Sequence, residues 1–300
     1  SAVRRVFDAA TVHSRVRRSP AETSVLLQNR RSLAVLELAG PLFFGNVSPI
    51  GRTLEEVLAA GARHAVIDVS RIVHVDLSGA RRLISVVGRY REQGLKVVLA
   101  PIRHGHPLAD YLVALGLAPG MCFSDLTEAL AAAEATILAE AGIGTPSYAT
   151  AEDALRALGI PEEHVCTLAA LASTRNLMAG ESLCRAGDSA EDLFVLMLGE
   201  VDVLLPQSPE AGIGKGGERV VLTHLSAGVV IGERALFDVH TRSADVVCTA
   251  LSRVLVLSGP ALAALKREAS PAALALVLTI TRNTSISLQH ANATIGRLEV

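Results

Sequence analysis

"VIGERALFDVHTRSADVV", residues 230–247, places Gly232, Glu233 and Arg234 ahead of Arg242 and Ser243 in a chain whose residues are 50% hydrophobic. Charges inside an apolar segment must be paired or put to use, because burying them alone is costly. If the Gly-Glu opens a short helix between two strands, the backbone N–H groups around Glu233, Arg234 and Ala235 point outward unpaired and form an anion site. Arg242, returning on the next strand, brings a planar fork of donors matched to two phosphate oxygens. Ser243 adds a hydroxyl and a backbone N–H. A carboxylate beside such a site needs a task of its own, and accepting a hydrogen bond from a sugar hydroxyl is the chemically sensible one. Glu233 is therefore read as the acceptor for a ribose 2′-OH. In the competing reading Glu233 and Arg242 simply pair with each other.

Outward from this stretch, "DLFVLMLGEVDVLLP", "ERVVLTHL" and "ADVVCTALSRVLVLS" are short apolar strands with Gly punctuation, the pattern of an antiparallel β roll. A helical stretch from about Glu152 to Leu171 precedes them. Helices from Pro260 to Ala269 and from Pro271 onward follow, the last with Leu288, Ala291, Ile295 and Leu298 on one stripe that packs on the roll or on a second copy of the chain.

"GERALF" followed by "TRSADV" resembles the phosphate-binding cassette of cyclic nucleotide-binding domains, and the resemblance extends over about residues 155–298. "AGESLCRAGDSAEDLFVLMLGEVDV" is similar to the family's first strands, with Gly180, Gly187, Asp188 and Gly199 at turn positions. The resemblance implies that Glu233 binds the ribose, that Arg242 binds the cyclic phosphate, and that Gly232, Arg234, Ala235 and Ser243 complete the cradle. It implies cAMP or cGMP as ligand and no other cofactor. Four positions depart from the family pattern: Ile231, Arg234, Thr241 and Asp245. Asp245 matters most, because strand alternation puts a second negative charge on the side of Ser243, where it opposes a bound phosphate.

The first half alternates strands and helices. "SVLLQNRRSLAVLELA" reads as two strands around a polar turn at Asn29, Arg30 and Arg31, and "VSPIGRTLEEVLAAG" as a helix. "HAVIDVS" and "LKVVLA" are buried strands, with an amphipathic helix carrying Ala80, Leu83, Ile84 and Val87 between them. "HPLADYLVALG" and "DLTEALAAAEATILAEA", the latter capped by Asp125, are further helices. The order strand, Asp-Leu-Ser-Gly loop, helix, strand is similar to the STAS domain of anti-sigma-factor antagonists and of SulP-type anion transporter tails. The resemblance makes Ser78 a phosphorylation candidate. Ordinary capping of the helix by Asp76 or Ser78 explains the same residues. "GPLFFGN" looks like the transporter tails.

The expected architecture is thus an α/β STAS domain, a mixed sheet flanked by helices, followed by an α+β cyclic nucleotide-binding domain with an antiparallel β roll. The boundaries are a basic juxtamembrane linker at 1–21, the STAS domain at 22–141, a Gly/Thr/Ser/Pro linker at 142–151 and the nucleotide domain at 152–300. Arg4, Arg5, Arg15, Arg17 and Arg18 against Asp8 alone fit a segment close to anionic lipid. Ser1-Ala2 in place of Met suggests a piece of a longer chain. The expected role is the regulatory tail of a SulP-type anion transporter at the cytoplasmic face of the inner membrane. Its partners are a cyclic nucleotide, the transmembrane part of the same transporter and a second copy. The alternatives are a soluble partner-switching regulator controlled at Ser78, and a structural tail with an empty nucleotide domain.

A net charge of -2 gives no global attraction for nucleic acid, and no apolar run approaches the roughly 20 residues that span a bilayer. Cys122, Cys166, Cys184 and Cys248 form no CxxC pair and read as buried reduced thiols. His104 and His106 in "RHGH" lack supporting ligands for a metal. "GIGKGGE", 212–218, lacks the Ser or Thr that follows Lys in a triphosphate loop. No nucleophile, base and orienter set points to an enzyme.

Overall fold

The computed structural model describes residues 2–9, 11–115, 120–206, 219–236 and 241–298, with side chains to residue 285. In chain order the elements are β1 (Val3–Asp8), β2 (Val16–Arg17), α1 (Pro20–Gln28), β3 (Leu33–Leu42), α2 (Ser48–Ala59), β4 (His64–Val75), α3 (Leu77–Glu92), β5 (Lys96–Ala100), α4 (Ala109–Ala114) and α5 (Leu126–Glu140). There follow α6 (Ala151–Leu158), α7 (Glu162–Ala170), β6 (Ala172–Leu177), β7 (Ser182–Cys184), β8 (Leu193–Leu198), β9 (Glu200–Leu204), β10 (Val221–Ser226), β11 (Val230–Ile231), β12 (Asp245–Cys248), β13 (Ser252–Leu257), α8 (Gly259–Arg267) and α9 (Pro271–Leu298). They form two compact units. Of the described residues, those within 1–14, 25–142 and 291–298 belong to the first and those within 15–24 and 143–290 to the second.

The first unit is built on a sheet of order β1-β3-β4-β5, with β1 antiparallel to β3 and the other pairs parallel. Successive strand residues face opposite sides. Leu36, Leu38 and Ile67 pack with Ile50 and Leu54 of α2 and Leu83 and Val87 of α3. Leu33, Val35 and Val66 pack with Ala129, Leu130 and Ile137 of α5 on the other side. Helices on both faces are why these strands read as continuous apolar runs.

The second unit is a roll of two sheets, β2-β10-β9-β12-β7 and β11-β8-β13-β6. All its pairings are antiparallel except β2 with β10. Strand β8 divides its side chains cleanly. Phe194 and Leu196 enter the roll with Leu177, Val201, Leu225 and Val246. Leu193, Val195 and Met197 face Leu155, Val165, Leu262, Leu276 and Ile280 of the helices.

Several expectations need correction. The segment beginning at Ser24, expected as a strand, lies in helix α1, which starts at Pro20. Ser19-Pro20-Ala21-Glu22 is a capping box with Pro at the first helical position: Glu22 accepts from the Ser19 N–H at 2.9 Å, and the Glu22 N–H reaches the Ser19 hydroxyl at 3.3 Å. Residues 1–21, expected as a linker, contribute β1 and β2, and three of their arginines are spent internally. Arg4 binds Glu37 at 2.8 Å, Arg18 lies 3.6 Å from Glu22, and Arg17 lies 3.9 Å from Glu233. The helical stretch 152–171 is broken at Gly159, whose φ of 91° ends α6. Cys166 is exposed and Cys122 and Cys184 are half-buried, leaving Cys248 as the buried thiol. Burial pushes the thiols of Cys122, Cys184 and Cys248 up from their ordinary value, which favours the protonated form. The side chains of Leu288, Ala291, Ile295 and Leu298 and the segment "GIGKGGE" lie outside the described residues.

His64 opens β4 at 3% exposure, with Nε2 3.6 Å from Glu140 and without a hydrogen bond. Burial holds its pKa below the ordinary 6.5, with Glu140 opposing that shift. The folded chain therefore keeps a neutral imidazole where the unfolded chain takes up a proton. The stability of the first unit is expected to be complete above about pH 7 and to decline as pH falls below the unfolded value. Urea unfolding at stepped pH checks this, with His64→Gln flattening that part of the profile.

Candidate functional site

The stretch from Gly232 to Asp245 connects β11 to β12. Glu233–Leu236 forms one short 3-10 turn, and Gly232 precedes it with φ of 80°, a left-handed conformation that favours glycine. A Cβ on Gly232 would also collide with Nη1 of Arg242. The glycine therefore makes room for the guanidinium.

Arg242 is fixed from two directions. Its backbone N–H donates to the Asp188 carbonyl, and its carbonyl accepts from the Gly187 N–H, both at 2.9 Å. Its side chain turns into the roll at 9% residue exposure, donates from Nη2 to the Asp192 carbonyl at 2.6 Å, and lies 5.0 Å over the Phe194 ring. Among the described residues no carboxylate pairs with it, and its Nε has no hydrogen-bond partner. A guanidinium in that condition carries a charge without a carboxylate to offset it, and such a charge is costly in a low-dielectric interior.

Glu233 does not pair with Arg242. Its ion-pair partner among the described residues is Arg17 of β2, with side chains 31% and 24% exposed. Arg234 is exposed, so its charge is solvated. Ser243 is exposed as well. The Ala235 N–H, expected to be free, donates to the Gly232 carbonyl at 3.0 Å, because the 3-10 turn closes on the residue that precedes it. Asp245 has partners of its own. It accepts from the Ala186 N–H at 2.8 Å and lies 3.7 Å from Arg219.

In the first unit Asp76 caps α3, accepting from the Gly79 N–H at 2.6 Å, while exposed Ser78 donates its hydroxyl to the same carboxylate at 3.0 Å. His106 lies 3.1 Å from the Val69 carbonyl, and no cluster of metal ligands occurs among the described residues. No helix among them is long and apolar enough to cross a membrane.

Comparison with known proteins decides what these two units are. Residues 24–129 match the STAS domain family, and residues 174–268 match the cyclic nucleotide-binding domain family. The chain carries both domains. Its fold is a STAS domain followed by a cyclic nucleotide-binding domain, mixed sheets with flanking helices. It is 26% identical over 297 residues to Glutaminase 2 of Bradyrhizobium diazoefficiens, covering 97% of this chain and 45% of that protein. It is 28% identical over 249 residues to Glutaminase 1 of the same organism, covering 80% of this chain and 38% of that protein. The chain thus spans less than half the length of these curated relatives. Among solved structures it is similar to a cyclic nucleotide-binding domain from Methylobacillus flagellatus, at 20% identity and TM-score 0.38 over 44% of this chain and 70% of that one. It is also similar to the Thermus thermophilus Catabolite Activator Protein, at 24% identity and TM-score 0.36 over 47% and 61%.

Asp192, Phe194 and Arg17 escaped sequence reading. Asp192 contributes only a carbonyl, Phe194 belongs to an ordinary core strand, and Arg17 is far away along the chain. The capping box at Ser19 to Glu22 was the available signal that the segment beside Arg17 is structured.

Gly232→Ala is expected to destabilise the nucleotide-binding unit by about 2 kcal/mol, through left-handed strain and the clash with Arg242. Guanidinium denaturation of the variant against the natural chain measures it.

Proposed function

We propose that the chain is a regulatory module whose cyclic nucleotide-binding domain senses cAMP. The observation that carries this reading is Arg242, a buried guanidinium that contacts Phe194 and a backbone carbonyl and has no carboxylate partner among the described residues. In this reading the cyclic phosphate replaces the missing counter-charge. Glu233 accepts from the ribose hydroxyl, Gly232, Arg234 and Ala235 contribute from the turn at Glu233, and Ser243 contributes from beside Arg242. Because the Ala235 N–H already serves the 3-10 turn, the backbone contribution to the cradle requires that turn to open. The engagement of Asp245 with Ala186 and Arg219 offsets part of the negative charge that would oppose an anion here.

The module acts on a larger protein, and two parents have support. "GPLFFGN" resembles SulP transporter tails, whose transported anion would be bound in a membrane part and whose module would sit at the cytoplasmic face. The alignment with Glutaminase 2 runs through both domains and favours an enzyme parent in which the STAS and nucleotide domains regulate glutamine hydrolysis. The internal pairing of Arg4, Arg17 and Arg18 takes away much of the basic charge that argued for a lipid surface. The enzyme parent is therefore the reading we adopt. Glutamine hydrolysis and sulfate uptake by the longer natural protein, each with and without cAMP, separate the two. Ser78 is proposed as a cap partner of Asp76 first and a phosphorylation site second.

Calorimetry tests the ligand. Arg242→Ala should weaken cAMP binding by about 1.5 to 3 kcal/mol, roughly tenfold to a hundredfold, through loss of a charge-assisted contact. Absence of heat with both cAMP and cGMP at millimolar concentration would reject the reading.

A further inference from the structure

Residues 15–24 belong to the nucleotide-binding unit although the whole STAS domain separates them from it in sequence. They form a docked strap. Val16 and Arg17 pair in parallel with His224 and Leu225, and the His224 N–H donates to the Arg15 carbonyl at 3.3 Å. Ser19 and Glu22 are buried at 1% and 3% exposure. Besides closing the capping box, Glu22 accepts from the Ser226 hydroxyl at 3.3 Å and lies 3.6 Å from Arg18. Gly228 is the complement on the roll. A Cβ there would meet the Ser19 Cβ at 2.6 Å and the Tyr148 hydroxyl at 2.8 Å. A buried carboxylate with satisfied partners and a glycine that admits the strap mark a built contact rather than a casual one.

The strap ends its strand at Arg17, and Arg17 reaches Glu233. The pair is long at 3.9 Å and has no hydrogen bond, with both side chains partly exposed. Such a contact draws the carboxylate toward the strap but is weak enough to be exchanged for another partner. The two charged side chains proposed for the ligand are thus both engaged elsewhere: Arg242 with the Asp192 carbonyl, Glu233 with the strap.

We infer that the strap is a latch on the nucleotide site, with Arg17 competing with the ribose hydroxyl for Glu233, so that cAMP binding loosens residues 15–18 and strap docking lowers cAMP affinity. This rests on the cAMP reading given above. The same short segment leads directly from residues 1–14 of the first unit, so ligand occupancy is reported at a point where the chain passes between units. By linkage the effect is mutual: whatever loosens the strap favours the nucleotide by the same factor.

Amide hydrogen exchange over residues 15–24 and cAMP calorimetry on the whole chain test the latch. In the natural protein saturating cAMP should raise exchange at residues 15–18. Arg17→Ala should show raised exchange there without nucleotide and bind cAMP about two- to fivefold more tightly, the range open to an exposed ion pair. Arg17→Lys should stay close to the natural protein. Binding of cAMP with equal or weaker affinity in Arg17→Ala, and with unchanged exchange in the strap, overturns the latch alone. Absence of heat in both the natural protein and Arg17→Ala overturns the nucleotide reading, and the latch with it.

Discussion

The guanidinium of Arg242 lies inside a β roll, stacked over Phe194 and bonded to one carbonyl, with no carboxylate partner among the described residues. Much of the local structure follows from accommodating it. Gly232 is left-handed and without a side chain where the guanidinium passes, and the loop at Gly187 and Asp188 holds the Arg242 backbone by two hydrogen bonds. Asp245, the nearest acid along the chain, is held by Ala186 and Arg219. A protein that keeps a cation in such a setting sustains a desolvation cost, which a bound anion would offset in the function proposed above.

The second constraint is the strap. A carboxylate at 3% exposure has to be satisfied, and Glu22 meets this through Ser19, Ser226 and Arg18. That arrangement fixes the residues beside it, including Arg17, against the edge of β10. A segment whose composition suggested a solvated basic tail is therefore part of a packed unit. The difference lies in partners that composition does not display: Glu37, Glu22 and Glu233 each take one of its arginines.

Much of the fold was legible because the period of the apolar residues is strong where the sheet is buried on both faces, as in β4 and β5, and where β8 alternates between the two cores. The nucleotide-binding domain was legible because "GERALF" and "TRSADV" together carry a glycine, a carboxylate and an arginine in the family's order. Helix α1 was misread. Val25, Leu26 and Leu27 look like a strand locally, and only the upstream Ser-Pro-Ala-Glu box shows that the backbone has already entered a helix. The partners of Glu233 and Asp245 were illegible for a different reason. Arg17 and Arg219 reach them through pairings of β2 and β10 that no local pattern encodes, and the competing reading, a pair between Glu233 and Arg242, gives way to separate partners.

The central claim is that the cation at Arg242 serves a cyclic phosphate. A crystal structure of the chain with cAMP tests it most directly. The account predicts phosphate oxygens within about 3 Å of the Arg242 guanidinium and the ribose hydroxyl on Glu233. A nucleotide bound elsewhere, with Arg242 still confined to the Asp192 carbonyl, would contradict it.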